Sequence, residues 1–158
     1  MGDGDLERRI GKRKPFGTRE EAALLNLVRT ADRVQGRVTR LLKEHGLTPA
    51  QYNVLRILRG LGAPTPILEI AEQMLTETPG ITGLIDRLEK LEFVHRKRCE
   101  EDRRVIYVVL APRAETVLAG LDVPMKELQV RLFEGISQAD LNTLVRLLDR
   151  VREPLEGP

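Results

Sequence analysis

Along most of this chain apolar residues return every three or four positions, and in one place only, between Val94 and Leu110, that rhythm gives way to an extended pattern. A chain patterned this way has to bury helical stripes against one another, with a single hairpin for a sheet. The first stripe is the longest. From Glu20 to His45 it runs through Leu24, Leu27, Val28, Ala31, Val34, Val38, Leu41 and Leu42. Gly46 then stops it, because glycine accepts the left-handed conformation that closes a helix.

A second helix begins at Thr48, where Pro49 suits the first helical position and Gln51 can complete a capping box. Its stripe is Tyr52, Leu55, Leu58 and Leu61, and Gly60 with Gly62 ends it. Thr65 and Pro66 give another cap-plus-proline start, predicting a short third helix carrying Ile67, Ile70, Ala71 and Met74. A fourth is expected from Thr78 and Pro79, with Ile81, Leu84, Ile85, Leu88 and Leu91 inward. Val94 to Cys99 and Arg104 to Leu110 read as strands joined by the charged turn Glu100, Glu101, Asp102 and Arg103. The remainder is helical again. Pro112 to about Phe133 forms one segment that Pro124 should kink or interrupt, and Ser137 caps a last helix carrying Leu141, Leu144, Val145, Leu148 and Val151. Residues 1–19 show no periodicity and are expected to be a flexible tail, basic through Arg8, Arg9, Lys12, Arg13 and Lys14. That cluster could lie along a nucleic-acid backbone; a solvated tail with no specific partner is the simpler reading.

Composition narrows the function. With 158 residues, 41% hydrophobic and 32% charged, the chain suits one soluble domain with a true core. No apolar run approaches the roughly 18 residues of a membrane span, and no signal peptide opens the sequence. A lone cysteine, Cys99, excludes an internal disulfide framework and suits the cytoplasm. Two histidines and one cysteine make a structural zinc site a poor fit. No glycine-rich phosphate loop appears, and Ser137, the only serine, reads as a helix cap. The carboxylates sit on helix faces with lysine and arginine, where solvated ion pairs explain them. Nothing here asks for a cofactor or an enzymatic reaction.

Net charge is only +2, so placement matters more than the sum. His95, Arg96, Lys97, Arg98, Arg103 and Arg104 crowd onto the expected hairpin, directly after a pair of short helices. Short helix, turn, helix and basic hairpin is the arrangement of a winged helix-turn-helix, whose second helix enters the major groove. Thr78, Thr82, Asp86 and Arg87 are the outward polar positions of that helix. The hairpin can set its arginines on the backbone or into a narrow minor groove. Asp102 carries the wrong sign for a phosphate ligand and reads as a support for a neighbouring arginine.

The stretches GLTPAQYNVLRIL (Gly46 to Leu58), EIAEQM (Glu69 to Met74), TPGITGLIDRLEKLEFVHR (Thr78 to Arg96) and EDRRVIYVVL (Glu101 to Leu110) closely resemble the MarR family of bacterial regulators. A looser likeness extends to GISQADLNTLVRLLDRV (Gly135 to Val151), so that it covers residues 20–153. The resemblance implies a mainly α fold with a small β-hairpin wing. The winged helix-turn-helix would span 48–110, flanked by dimerisation helices at 20–45 and 112–153. It implies a homodimer on palindromic double-stranded DNA, a transcriptional regulator acting as a repressor, and in many members release by a small aromatic or phenolic effector. The family's recognition-helix contacts fall on Thr78, Gly80, Thr82, Asp86 and Arg87. Those of its wing fall on Arg98, Arg103 and Arg104, with Asp102 supporting them, and the hairpin's charge pattern adds Arg96 as a candidate contact.

Two departures stand out. Gly80 and Gly83 occupy positions where relatives carry larger side chains, which shifts base readout toward Thr82, Arg87 and the wing, or lets the backbone approach closely. After the second strand the usual Leu-Thr-x-x-Gly is replaced by Leu110, Ala111, Pro112, Arg113 and Ala114. The rival reading is a winged helix serving protein–protein assembly, and retention of the wing charges weighs against it. Cys99 lacks a resolving partner for redox sensing, His45 suits the negative end of a helix, and His95 suits a phosphate or surface contact.

Overall fold

The computed structural model describes residues 4–98 and 105–156. Seven helices and a three-stranded antiparallel sheet are seen among them: α1 (Gly4–Arg9), α2 (Arg19–Glu44), α3 (Pro49–Leu61), β1 (Thr65–Pro66), α4 (Ile67–Glu72), α5 (Ile81–Lys90), β2 (Val94–Arg98), β3 (Ile106–Leu110), α6 (Pro112–Leu132) and α7 (Gln138–Arg152). The sheet order is β1-β3-β2. The chain divides into two compact units, residues 1–125 and 126–158, with the boundary inside α6.

Local chemistry sets the helix ends. Thr18 caps α2 by accepting from the Glu21 N–H. At the other end Gly46 takes φ +72°, and the Leu47 N–H reaches back to the Leu42 carbonyl while Gly46 N–H bonds that of Lys43. Those two bonds satisfy carbonyls that a helix terminus otherwise orphans, and they tuck Leu47 beside the buried Leu42. His45 stands at this C-cap, where its placement suits the helix dipole. The capping box of α3 forms as expected: Thr48 Oγ1 accepts from Gln51 N–H, and Gln51 Oε1 accepts from Thr48 N–H. Ser137 caps α7, accepting from Asp140 N–H, while its hydroxyl donates to the Asp140 carboxylate at 2.6 Å.

The core of the first unit gathers the stripes of α3, α5 and α6 over the sheet. Val54, Leu55, Leu58, Ile70, Ile85, Leu88, Val108 and Leu118 are each 2% exposed or less. Asn53, buried among them, donates to the Met74 sulfur and accepts from Arg56. On the surface Arg59 holds Asp122 through two hydrogen bonds, at 2.7 and 3.0 Å. The bond to Arg59 holds the Asp122 carboxyl below the ordinary carboxylate value, and the same bond raises Arg59. No helix of the described residues is long and apolar enough to cross a membrane.

Four expectations need correction. Thr65 does not cap a helix; it is buried, its hydroxyl donates to the Ala63 carbonyl, and it pairs with Val108 as half of β1. Pairing with β3 satisfies backbone groups that a helix start there would leave to water. Helix α5 begins at Ile81 rather than Thr78: Gly80 at φ +79° is its N-cap, and the Thr78 hydroxyl donates to Thr76. Pro124 does not interrupt α6, which runs on through it, with Leu118 and Leu121 buried before it and Met125 after. Within the expected flexible tail α1 forms, with Leu6 buried. The tail's basic run is partly engaged: Lys12 pairs with Glu21 at 2.5 Å and lies over the Phe16 ring, and the Phe16 N–H donates to Glu7.

Two outcomes are expected. An added Cβ at Gly80 meets no atom within 4 Å, so Gly80→Ala should lower stability by backbone strain alone, about 1–2 kcal/mol, and Gly80→Asn by less. Urea unfolding of both variants measures this. In a carbon-detected NMR titration, Asp122 should protonate below the ordinary carboxylate range and return to it in Arg59→Met. The depressed value makes the pair stabilising at neutral pH, and that stabilisation is lost as pH falls through the folded-state value.

Candidate nucleic-acid interface

Helix α5 has two unlike faces. Leu84, Ile85 and Leu88 are buried, fixing the helix on α3, α4 and β2, while Thr82, Asp86, Arg87 and Lys90 are exposed. The burial pattern therefore turns toward solvent three of the four residues that the sequence marks as outward, Thr82, Asp86 and Arg87. Gly80 is exposed and Thr78 half-buried just before the helix. Arg87 makes no ion pair among the described residues and stands open to solvent.

The wing strand follows through a tight reversal. Glu92 adopts φ +59°, a conformation unusual for a residue with a Cβ. The Phe93 N–H bonds the Leu88 carbonyl and Glu92 N–H that of Glu89, closing α5 in the way glycine normally allows. Phe93 is buried, and its carbonyl accepts from Ala111 N–H, which ties the start of the wing to the end of β3. Strand β2 then pairs with β3 from Val94↔Leu110 to Arg98↔Ile106. Alternation along a strand sends Val94, Arg96 and Arg98 to one face and His95 and Lys97 to the other. His95, Lys97 and Arg98 are exposed.

Arg96 behaves differently from its basic neighbours. Its Nη1 donates to Glu89 Oε2 at 2.5 Å and its Nη2 to Asp86 Oδ1 at 2.6 Å. Its backbone N–H donates to the other Glu89 oxygen at 3.0 Å, and Nη2 also faces the Thr82 carbonyl at 3.5 Å. Its side chain is only 21% exposed. Burial alone would push the guanidinium down, but the hydrogen bonds it donates to Asp86 and Glu89 outweigh it and hold the group above its ordinary value. So Asp86 and Arg96, both expected as DNA contacts, are partners of one another.

Sequence reasoning missed Glu89. The available signal was its spacing: Thr82, Asp86 and Glu89 share one helical stripe, four and then three residues apart, and that stripe faces β2. Asp102, Arg103, Arg104 and Cys99 lie outside the described residues. Separate from this surface, a cavity of about 170 Å³ opens between the end of α3, the link after it, β3 and α6, lined by Leu58, Arg59, Pro64, Val109, Leu110 and Glu115 among others.

Comparison with known proteins agrees with this architecture. The family model described as MarR family matches residues 47–106, the span from the end of α2 to the start of β3. A Bacillus subtilis (strain 168) protein, described as the uncharacterized HTH-type transcriptional regulator YkoM, is 29% identical over 143 residues, which cover 87% of this chain and 92% of that protein. The crystal structure of AbsC, a MarR family transcriptional regulator from Streptomyces coelicolor, superposes with a TM-score of 0.81 at 22% identity, covering 92% of this chain and all of that one (100%). A MarR transcription factor from Planctomyces limnophilus is 32% identical with a TM-score of 0.66, covering 85% of this chain and 98% of that one. Family model, relatives and fold agree with the order of helix, turn, helix and basic hairpin read from the residues: the chain belongs to the MarR family of winged helix-turn-helix transcriptional regulators.

Proposed function

We propose that this regulator binds double-stranded DNA sequence-specifically, as a homodimer on a palindromic operator, and acts as a repressor. The single observation that carries the DNA reading is the pairing of an exposed polar face on α5 with a basic strand locked beside it. A helix in the major groove with a ribbon that crosses the flanking backbone into the adjacent minor groove needs that juxtaposition. Arg87 is suited to bidentate recognition of guanine, and Thr82 to a thymine methyl or a base-edge hydrogen bond. Thr78 and Gly80 lie where the backbone N–H groups before and at the start of α5 can approach phosphate. Arg98, with Arg103 and Arg104 supported by Asp102, supplies the wing contacts.

The homodimer rests on apolar surface that each unit leaves uncovered. In the first unit α2 exposes Leu24, Leu27 and Val28 at 59%, 41% and 58%. In the second, α7 has no buried residue at all, and Leu144, Val145, Leu147 and Val151 are exposed. Amphipathic helices with bare apolar faces call for a partner, and a second copy of the chain supplies one of matching chemistry. Light scattering at micromolar concentration should give twice the chain mass of 17.9 kDa; a monomer contradicts the palindromic reading. Release by a small aromatic or phenolic effector is the part of the proposal that rests on family resemblance alone.

Salt dependence separates DNA binding from a protein–protein role. Each phosphate neutralised adds about 0.9 to the slope of log affinity against log salt, so fluorescence anisotropy with a duplex selected from random DNA should show a steep slope. Arg87→Ala should weaken that duplex by about 1–3 kcal/mol and relax preference at one position in each half-site. Affinity indifferent to salt, or unchanged in Arg87→Ala, counts against the docking.

A further inference from the structure

We infer that Arg96 is a strut which sets the angle between the recognition helix and the wing, and that it makes no phosphate contact of its own. The inference rests on the DNA-binding reading above and deepens it. Arg96 stands among wing cations, and by charge pattern alone it is indistinguishable from Arg98. Their surroundings differ. Arg98 is exposed and makes no ion pair among the described residues, whereas Arg96 spends both terminal nitrogens on carboxylates of α5, at 2.5 and 2.6 Å, and anchors its backbone N–H on one of the same carboxylates at 3.0 Å. Thr82, Asp86 and Glu89 meet it along two turns of α5, so the strand is fixed both along the helix and across it.

A planar guanidinium with several fixed donors can hold two carboxylates in defined directions, which an ammonium cannot. The strut has a second consequence. Asp86 and Glu89 are anions on or beside a surface proposed to face phosphate, and Arg96 offsets part of their charge and holds both in place. The sequence assigned the role of arginine support to Asp102; for Arg96 that role belongs to Asp86 and Glu89. Glu89 becomes a positioning residue that touches no DNA, and the bases are left to Thr82 and Arg87.

The two roles for Arg96 differ in measurable ways. With the selected duplex, anisotropy across a salt series should show Arg96→Met binding roughly tenfold or more weaker, the scale of a lost charge-assisted hydrogen bond, with the salt slope of the wild type. Arg98→Met should instead flatten the slope by about 0.9 for each subunit. A slope in Arg96→Met that falls as it does in Arg98→Met makes Arg96 a phosphate ligand and overturns the inference, and so does unchanged affinity. Glu89→Gln gives an independent sign test in a variant of the same shape. It removes a negative charge, so simple attraction to a polyanion predicts tighter binding, whereas loss of the strut predicts weaker binding at an unchanged melting temperature. Equal or tighter binding by Glu89→Gln refutes the strut. If the wild type itself shows no salt-dependent binding to any duplex, the DNA-binding reading fails before this one is reached.

Discussion

A helix that reads DNA must expose one face, so the protein has to hold it entirely by the other. Here that grip is Leu84, Ile85 and Leu88, buried to 3% exposure or less, with α3 and α4 on one side and β2 on another. Two turns of apolar contact fix the helix axis but leave a neighbouring two-stranded ribbon free to twist, because an isolated hairpin has little stability of its own. Two devices restrain it: β1 gives the ribbon a third strand beside Tyr107 and Val108, and Arg96 ties the middle of β2 to α5. The geometry of the proposed interface follows from those restraints.

The chemistry of the surface follows from the same arrangement. Carboxylates on a helix proposed to face a groove are an electrostatic liability, and Arg96, paired with both, reduces it locally. Apart from Asp86, which Arg96 pairs, what is exposed on α5 and at its N-cap is small or cationic: Gly80, Thr82, Arg87 and Lys90. Small side chains let the backbone come close, which suits a reader that takes few bases directly and draws the rest of its specificity from DNA shape. A net charge of +2 is compatible with this, because the cations that matter are concentrated on one ribbon.

How much of this the sequence makes legible depends on the range of the interaction involved. Short-range signals carry through: the Thr48–Gln51 capping box, the stop at Gly46 and the change of period at Val94 all appear where the residues place them. Signals that serve two structures do not. Thr65-Pro66 suits a helix start as well as a strand end, and only β3, some forty residues away in sequence, decides in favour of the strand. Thr78-Pro79 similarly suggests a cap, while the left-handed turn at Gly80 takes that place. At the site, charge pattern marks which residues are basic but not what they face. Arg96 and Arg98 look alike in one dimension and diverge only when Asp86 and Glu89 are brought across from α5.

The central claim is that α5 lies in a major groove while the ribbon follows the adjacent minor groove, twice, on one face of the duplex. Dimethyl sulfate modification reports both grooves together, since it methylates guanine N7 in the major groove and adenine N3 in the minor. With the protein bound to its selected duplex, protected guanine N7 should be flanked by protected adenine N3, and the pattern should repeat about one helical turn away in inverted order. Protection confined to one groove, or a single copy with no symmetric mate, would contradict the proposed docking.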